Sequence, residues 1–187
     1  MQSLLAVSAV LDRILGFFAR IGAWCGFLLM IVVCYDVVTR YLGVPKPFGM
    51  NSTQLQESEY WLHTFLFSLL LGYAYINQAH VRIDLVRERF STRNKYLLEI
   101  VGILFFLLTY SILGAWFTAH YAFASFQEHE VSKSVIGLSN IWILKSALVV
   151  MFILMGVAAI SQLIKAIAGY RGVLPDSLVP LTIGSEH

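Results

Sequence analysis

Charged residues are scarce in this sequence, and their scarcity excludes several classes of protein at once. Asp, Glu, Lys and Arg make up 13% of the 187 residues, whereas hydrophobic residues make up 58% and the mean hydropathy is +0.74. A chain of this composition is too apolar for an ordinary soluble domain. Its net charge is only +2, and its basic residues are spread over short loops and not gathered into one patch, which argues against a nucleic-acid groove. We therefore interpret the chain as a membrane protein.

Cysteine is almost absent as well, and its two copies exclude a disulfide or a shared metal site. Cys25 and Cys34 lie in one apolar run. On a helix they fall on opposite faces, about 13 Å apart along the axis. Such a separation allows neither a bridge nor common coordination of a metal ion. The N-terminal segment also lacks a basic region ahead of its first apolar run, so we expect no signal peptide.

Four apolar segments have the roughly 20 residues that a transmembrane helix requires. We predict spans at about 19–42, 59–78, 97–125 and 139–168. The connections are short enough for consecutive helices to pack as neighbours. The predicted fold is therefore an all-α antiparallel bundle of four transmembrane helices, forming a single membrane domain over residues 1–187.

The connecting segments carry predictions of their own. In 79–96, apolar residues recur at three to five positions among basic ones, a pattern typical of a short amphipathic helix lying among lipid headgroups. The segment 43–58 contains two prolines and is predicted to be an ordered loop, not a helix. The tail 172–187 also contains two prolines, and we expect it to be extended or mobile.

Lys and Arg are distributed unequally between the two sides of the predicted bundle. With the N-terminus in the cytoplasm, nine of them lie on the cytoplasmic side and three lie outside. The positive-inside rule then predicts that both termini are cytoplasmic. The basic segment 79–96 is the main cytoplasmic loop, whereas 43–58 and 126–138 lie on the outer side.

Several polar residues fall near the outer ends of the predicted spans. Asp36 and Arg40 are four positions apart and can pair on one helix face, and Lys145 lies near the start of the fourth span. A charge at the centre of a span costs about 2.5–3.5 kcal/mol, so such residues normally find a partner. We expect a polar layer that serves packing. An ion relay would need titratable groups through the whole thickness, which the spans do not supply.

Two histidines keep a different function open. His63 and His120 are predicted at matched depth on neighbouring antiparallel helices, as a bis-histidine haem site in the membrane anchor of a redox enzyme requires. The alternative is that each is a polar residue at a helix end. Catalysis by His80, Arg82 and Asp84 is less favoured, because positions i and i+2 of a helix do not face each other.

Three motifs resemble one transporter family. Residues 50–90 contain ESEYWLHTFLFSLLLGYAYINQAHVRID and resemble the second-helix signature of the DctQ-like small membrane subunit of TRAP transporters. The YDVVTRYLG of the first span resembles the family's Asp-x-x-x-Arg-Tyr ending of helix one. The segment 128–145, EHEVSKSVIGLSNIWILK, resembles its third loop and the start of its fourth helix. The resemblance extends over about 20–168.

The resemblance implies a role in a tripartite uptake system of the bacterial inner membrane. In such a system a periplasmic binding protein captures an organic anion, a carboxylate or a sulfonate, and a large multi-span permease holds the substrate and sodium sites. The small subunit would be no enzyme and would carry no cofactor. It would brace the permease, help to dock the binding protein and contact membrane lipids. Carried over by motif, the residues expected to act in assembly are Asp36, Arg40, Glu57, His80, Arg82, Asp84, Glu130, Ser132 and Lys145.

Overall fold

The structure of the chain is a computed structural model, which describes residues 1–43, 50–79, 90–134 and 136–182. Every regular element in these ranges is helical, so the all-α prediction is confirmed there. In order, the elements are α1 (Gln2–Leu42), α2 (Ser52–Ile76), α3 (Thr92–Gly102), a π-helical segment (Ile103–Leu108), α4 (Thr109–Gln127), α5 (Ile141–Tyr170) and a 3₁₀ helix (Asp176–Leu181).

Three helical stretches are long and apolar enough to cross a membrane. They are Gln2–Leu42, Thr92–Gln127 and Ile141–Tyr170, and between 11% and 33% of the residues in their most apolar windows are buried within the chain. A soluble protein rarely exposes so much contiguous apolar surface. The exposed side chains therefore match an environment of lipid tails or of another membrane subunit, and the chain is a membrane protein.

Helix α2 is the remaining predicted span. Its 25 residues extend about 37 Å, which is long enough to cross a bilayer. Its first half is less apolar than the other three stretches, because it contains Glu57, Glu59 and His63. Three of the four predicted spans are thus confirmed by length and composition. The span predicted at 59–78 and the antiparallel bundle stay predictions.

Several predicted boundaries differ from those observed. The first helix begins at Gln2, well before residue 19, because the segment ahead of the predicted span is itself mostly apolar. The prediction of a loop over 43–58 was wrong for its last part, since α2 begins at Ser52. The tail 172–187 was predicted to be extended or mobile, but in its described part Asp176–Leu181 form a 3₁₀ helix and Thr182 is buried.

The predicted amphipathic helix over 79–96 falls largely on residues 80–89, which lie outside the described residues. Within the described part, Phe90 and Ser91 are non-helical and α3 begins at Thr92. The amphipathic helix therefore stays a prediction.

The start of α2 has a local cause that the proline-rich surroundings obscured. The backbone N–H of Gln54 donates to the Asn51 side-chain oxygen at 2.8 Å, and the Asn51 backbone N–H donates to Gln54 Oε1 at 3.2 Å. This reciprocal pair satisfies two amide groups that the first turn of a helix leaves free. With this capping pair, the helix begins at Ser52, seven residues before the span predicted from residue 59.

The described residues form two compact units. The first unit comprises Met1–Phe17, Leu71–Gly114 and Phe152–His187. Its helices approach closely through small residues: a Cβ added at Gly72 would lie 2.9 Å from the backbone oxygen of Leu154, and Ala158 and Ala159 are fully buried. Small residues at such contacts allow backbones to pack tightly where lipid provides no hydrophobic drive.

The second unit comprises Phe18–Leu70 and Ala115–Met151. Here Gly22 and Gly26 of α1 receive side chains of α2: a Cβ added at either glycine would lie 3.1 Å from an atom of Leu69 or Leu66, respectively. The loop 128–140 belongs to this unit and connects α4 to α5.

Candidate functional site

The carboxylate of Glu57 anchors the loop 128–140 in the second unit. The Ser132 hydroxyl donates to Glu57 Oε1, and the backbone N–H of Leu138 donates to Glu57 Oε2 at 2.5 Å. Within the loop, the Ser132 backbone N–H donates to the Leu138 oxygen at 3.1 Å. One carboxylate therefore fixes both sides of the loop turn, and hydrogen bonds to an ionised acceptor are stronger than neutral ones.

A second carboxylate in the same loop binds the start of α5. The Lys145 ammonium donates a hydrogen bond to Glu130 Oε2, and the Lys145 Nζ lies 3.8 Å from the centre of the Tyr121 ring of α4. The Lys145 ammonium lowers the pKa of Glu130 below its ordinary value of 4.5. The ion pair and the cation–π contact together attach the loop to two helices.

Gly137 shows why the loop motif contains a glycine. A Cβ at this position would lie 2.5 Å from Glu57 Oε1 and equally close to the Cβ and Oγ of Ser132. No side chain fits there without displacing the Glu57–Ser132 contact. Nearby, the Asn51 side-chain amide donates to the Ile136 oxygen at 2.9 Å, which ties the loop to the start of α2.

We name Glu57, Glu130, Ser132, Gly137 and Lys145 the loop cluster. Beside it lies a groove of about 510 Å³. Aromatic and apolar side chains, Tyr60, Trp61, Tyr121, Leu144 and Leu148, line much of it. The groove therefore combines an apolar wall with Glu130 and Lys145, whose opposite charges neutralise each other.

Asp36 and Arg40 form the predicted pair on α1. Asp36 is buried, and its Oδ2 lies 2.5 Å from an Arg40 nitrogen. Thr39 is buried beside them and donates its hydroxyl to the Asp36 backbone oxygen at 3.0 Å. The expected i, i+4 pairing is thus confirmed, and it gives the buried carboxylate a partner.

Sequence reasoning missed a buried polar cluster in the first unit. The Lys165 ammonium donates to Asp12 Oδ2 at 2.6 Å, and the lysine side chain is only 2% exposed. Ser161 donates to the other Asp12 oxygen at 2.5 Å and lies 2.9 Å from the Ser8 hydroxyl. We name these four residues the buried cluster. Asp12 and Lys165 are 153 positions apart in the chain, so no local sequence pattern pairs them.

Gln162 of α5, next to Ser161 of the buried cluster, attaches the tail to the helices of this unit. The Gln162 side-chain amide donates to the backbone oxygens of Ile76 at 3.0 Å and Leu181 at 2.9 Å. Gln78 donates to the same Leu181 oxygen at 2.7 Å. These amides hold the described part of the tail by its Leu181 carbonyl, a contact that composition alone does not reveal.

Of the other predicted site residues, the described histidines His63 and His120 lie in neither cluster. His80, Arg82 and Asp84 lie outside the described residues. His63 and His120 are both exposed, and the His120 ring contacts its own helix at Trp116, whose oxygen lies 2.9 Å from Nδ1. This arrangement gives the haem hypothesis no support. Cys25 and Cys34 are free thiols, as expected, and the described ranges contain no group of three metal-binding side chains.

Three helices suited to crossing a membrane and an ion-paired loop that connects two helices define the chain as a multi-span integral membrane protein. A comparison with protein-family models then identifies the family of this membrane protein. The model described as Tripartite ATP-independent periplasmic transporters, DctQ component, matches residues 29–169. The chain belongs to this family and is thus the small subunit of a TRAP transporter. Comparisons with curated proteins and with solved structures found no match.

Proposed function

We propose that the chain braces the large permease of its transporter and presents the loop 128–140 to the periplasmic binding protein. The system would import an organic anion, a carboxylate or a sulfonate, with sodium bound by the permease. The small subunit would itself be no enzyme and carry no cofactor. The observation that carries the proposal is the loop cluster, which fixes a non-helical segment rigidly to α2 and α5.

Rigidity is what a docking surface needs. A loop that is already ordered loses little conformational entropy when a partner binds. Glu57 and Lys145 are both occupied within the cluster, so they act by shaping the loop. Exposed side chains such as Val131 (62%) and Ile136 (54%) remain available for contact.

Bracing fits the helices themselves. A carrier builds its ion and substrate sites from unwound helix pairs near the middle of the membrane. In the described ranges α1 and α5 are uninterrupted over 41 and 30 residues, respectively. Such helices suit a scaffold, with one apolar face against the permease and the others toward lipid.

Uptake into liposomes that contain the complete three-component system tests the docking role. We expect Glu57→Gln to lower uptake at limiting binding protein about tenfold, because the weakened cluster loosens the loop, with little loss at saturating binding protein. Glu128→Gln is the matched control, since it removes an equal charge from an exposed position of the loop that Glu57 anchors. Equal uptake by both variants would refute docking through this loop, whereas loss of permease co-purification would indicate a bracing defect.

The proposed orientation places this loop in the periplasm and both termini in the cytoplasm of a bacterial inner-membrane protein. It rests on the excess of Lys and Arg in the segment 79–96 and at the chain ends. A reporter fused after Arg89 should be cytoplasmic, and one fused after Met50 should be periplasmic. The reverse result would invert the topology and remove the loop from the binding protein.

A further inference from the structure

An open groove lies in the first unit, where α3 begins and α5 ends. Its volume is about 540 Å³, and its lining includes Thr92, Arg93, Tyr96, Tyr170 and Arg171. Both arginines are exposed, and neither forms an ion pair with a described carboxylate. The groove therefore presents two cationic groups with hydrogen-bond donors to spare.

The arginine of α3 is held in place by a tyrosine of α5. Arg93 Nη2 donates to the Tyr170 hydroxyl at 3.2 Å, and its guanidinium carbon lies 4.8 Å from the centre of the Tyr170 ring. A guanidinium has five N–H donors, so this contact leaves most of them for a ligand. The contact with Tyr170 restricts the side chain before any ligand arrives, which lowers the entropy cost of binding.

The floor of the groove is rigid. Tyr96 is 4% exposed and packs so closely on Gly169 that a Cβ there would overlap its ring. The Tyr96 hydroxyl lies 3.5 Å from the Thr182 hydroxyl, itself buried. A fixed aromatic floor beneath two arginines is a built feature of this unit, not a chance gap between mobile side chains.

The position of the groove indicates the ligand. The stretches Thr92–Gln127 and Ile141–Tyr170 are both able to cross a membrane, and the groove lies where the first begins and the second ends. Both stretches are longer than the roughly 20 residues that cross the hydrocarbon, so we place their shared end, and the groove with it, in the headgroup region. Anionic lipids concentrate there, and basic pockets between transmembrane helices bind their headgroups. Arginine suits a phosphate because its planar fork can form two parallel hydrogen bonds.

We propose that Arg93 and Arg171 bind the phosphate of an anionic phospholipid in this groove. The lipid headgroup would bridge the start of α3 and the end of α5, and so clamp two transmembrane helices together. The same chemistry fits free inorganic phosphate, but only a lipid also places its acyl chains against the apolar helices below.

Native mass spectrometry of the purified full-length chain in detergent, titrated with phosphatidylglycerol, tests the proposal. Each arginine near a membrane surface contributes about fivefold to anionic-lipid affinity. The variant Arg93→Gln/Arg171→Gln should therefore bind phosphatidylglycerol about 25-fold more weakly. The control Arg13→Gln/Arg20→Gln removes two other exposed arginines and should bind nearly as the parent does.

A charge-conserving double variant distinguishes loss of lipid binding from a folding defect. Arg93→Lys/Arg171→Lys keeps both charges and should lose about fivefold, because an ammonium cannot form the two parallel bonds of a guanidinium. Equal weakening by the control pair would overturn the proposal in favour of diffuse surface charge. Unchanged affinity in both groove variants would overturn it outright. Displacement of the lipid by millimolar inorganic phosphate would show that the groove holds a free anion.

Discussion

Replacing Asp12 by asparagine should destabilise the first unit more than any other neutralisation of an acidic residue in it. The Lys165 side chain is 2% exposed and Asp12 is 26% exposed, and the two are joined at 2.6 Å. Asparagine keeps the size and an oxygen that can accept one hydrogen bond, but it removes the negative charge. Lys165 would then remain buried without a counter-ion.

The magnitude follows from that burial. Removing one partner of a buried ion pair costs about 3–5 kcal/mol, because the other charge stays desolvated. Partial exposure of Asp12 places this pair near the lower end, at about 3 kcal/mol. The double variant Asp12→Leu/Lys165→Met leaves no buried charge, so it should lose no more than about 1 kcal/mol.

Unfolding of the purified chain in mixed detergent, followed by circular dichroism, measures these differences. Asp176→Asn is the matched control, because Asp176 is exposed in the same unit and its neutralisation should change stability by less than about 0.5 kcal/mol. Equal stability of Asp12→Asn and this control would refute a stabilising buried ion pair. A loss in the double variant equal to the sum of the two single losses would also refute it, since the charges would then not be coupled.

Two further predictions concern the loop cluster and the helices. Gly137→Ala should cost about 1–3 kcal/mol of unfolding free energy, because its Cβ would overlap Glu57 and Ser132, whereas Gly102→Ala, with open space around it, should be stabilising by about 0.5–1 kcal/mol. The same unfolding assay checks the opposite signs, and a shared sign would contradict the steric argument. The Glu130 pKa lies below 4.5 in the folded chain, so its ion pair stabilises the loop above that pH and is lost as the pH falls through the lower folded value. Proteolysis of the loop should rise over that acidic range in the parent, and a Lys145→Met variant should show a weaker pH dependence.

Much of the loop cluster was predictable because its residues are close in sequence or share a motif. Glu130 and Ser132 lie in one loop, and Lys145 follows within fifteen positions. The i, i+4 spacing of Asp36 and Arg40 predicts their pair directly, because helix geometry alone places them together. The groups that donate hydrogen bonds to Glu57 could be identified only from the structure, since they lie 75 and 81 positions away in the chain.

The sequence gives little warning of polar residues that are paired inside the fold. Lys165 lies in the predicted span 139–168, where no local pattern reveals that it is among the most buried side chains described. The two prolines predict an extended or mobile tail, whereas Gln162 and Gln78 bind the Leu181 carbonyl in its described part. A window average cannot see a partner that folding brings from elsewhere in the chain, so a satisfied buried charge and an exposed one give the same score.

The sequence by itself determined the helical class, the membrane environment and the transporter family. These follow from composition, from runs of about 20 apolar residues and from local motifs, all of which act over short stretches of chain. The tertiary structure decided which polar groups are neutralised by one another and which remain available. Asp12 and Lys165 are paired, Glu57 fixes the periplasm-facing loop of our proposal, and Arg93 and Arg171 keep free donors beside Tyr96. Desolvation makes those pairings energetically decisive, and desolvation depends on neighbours that only the folded chain supplies.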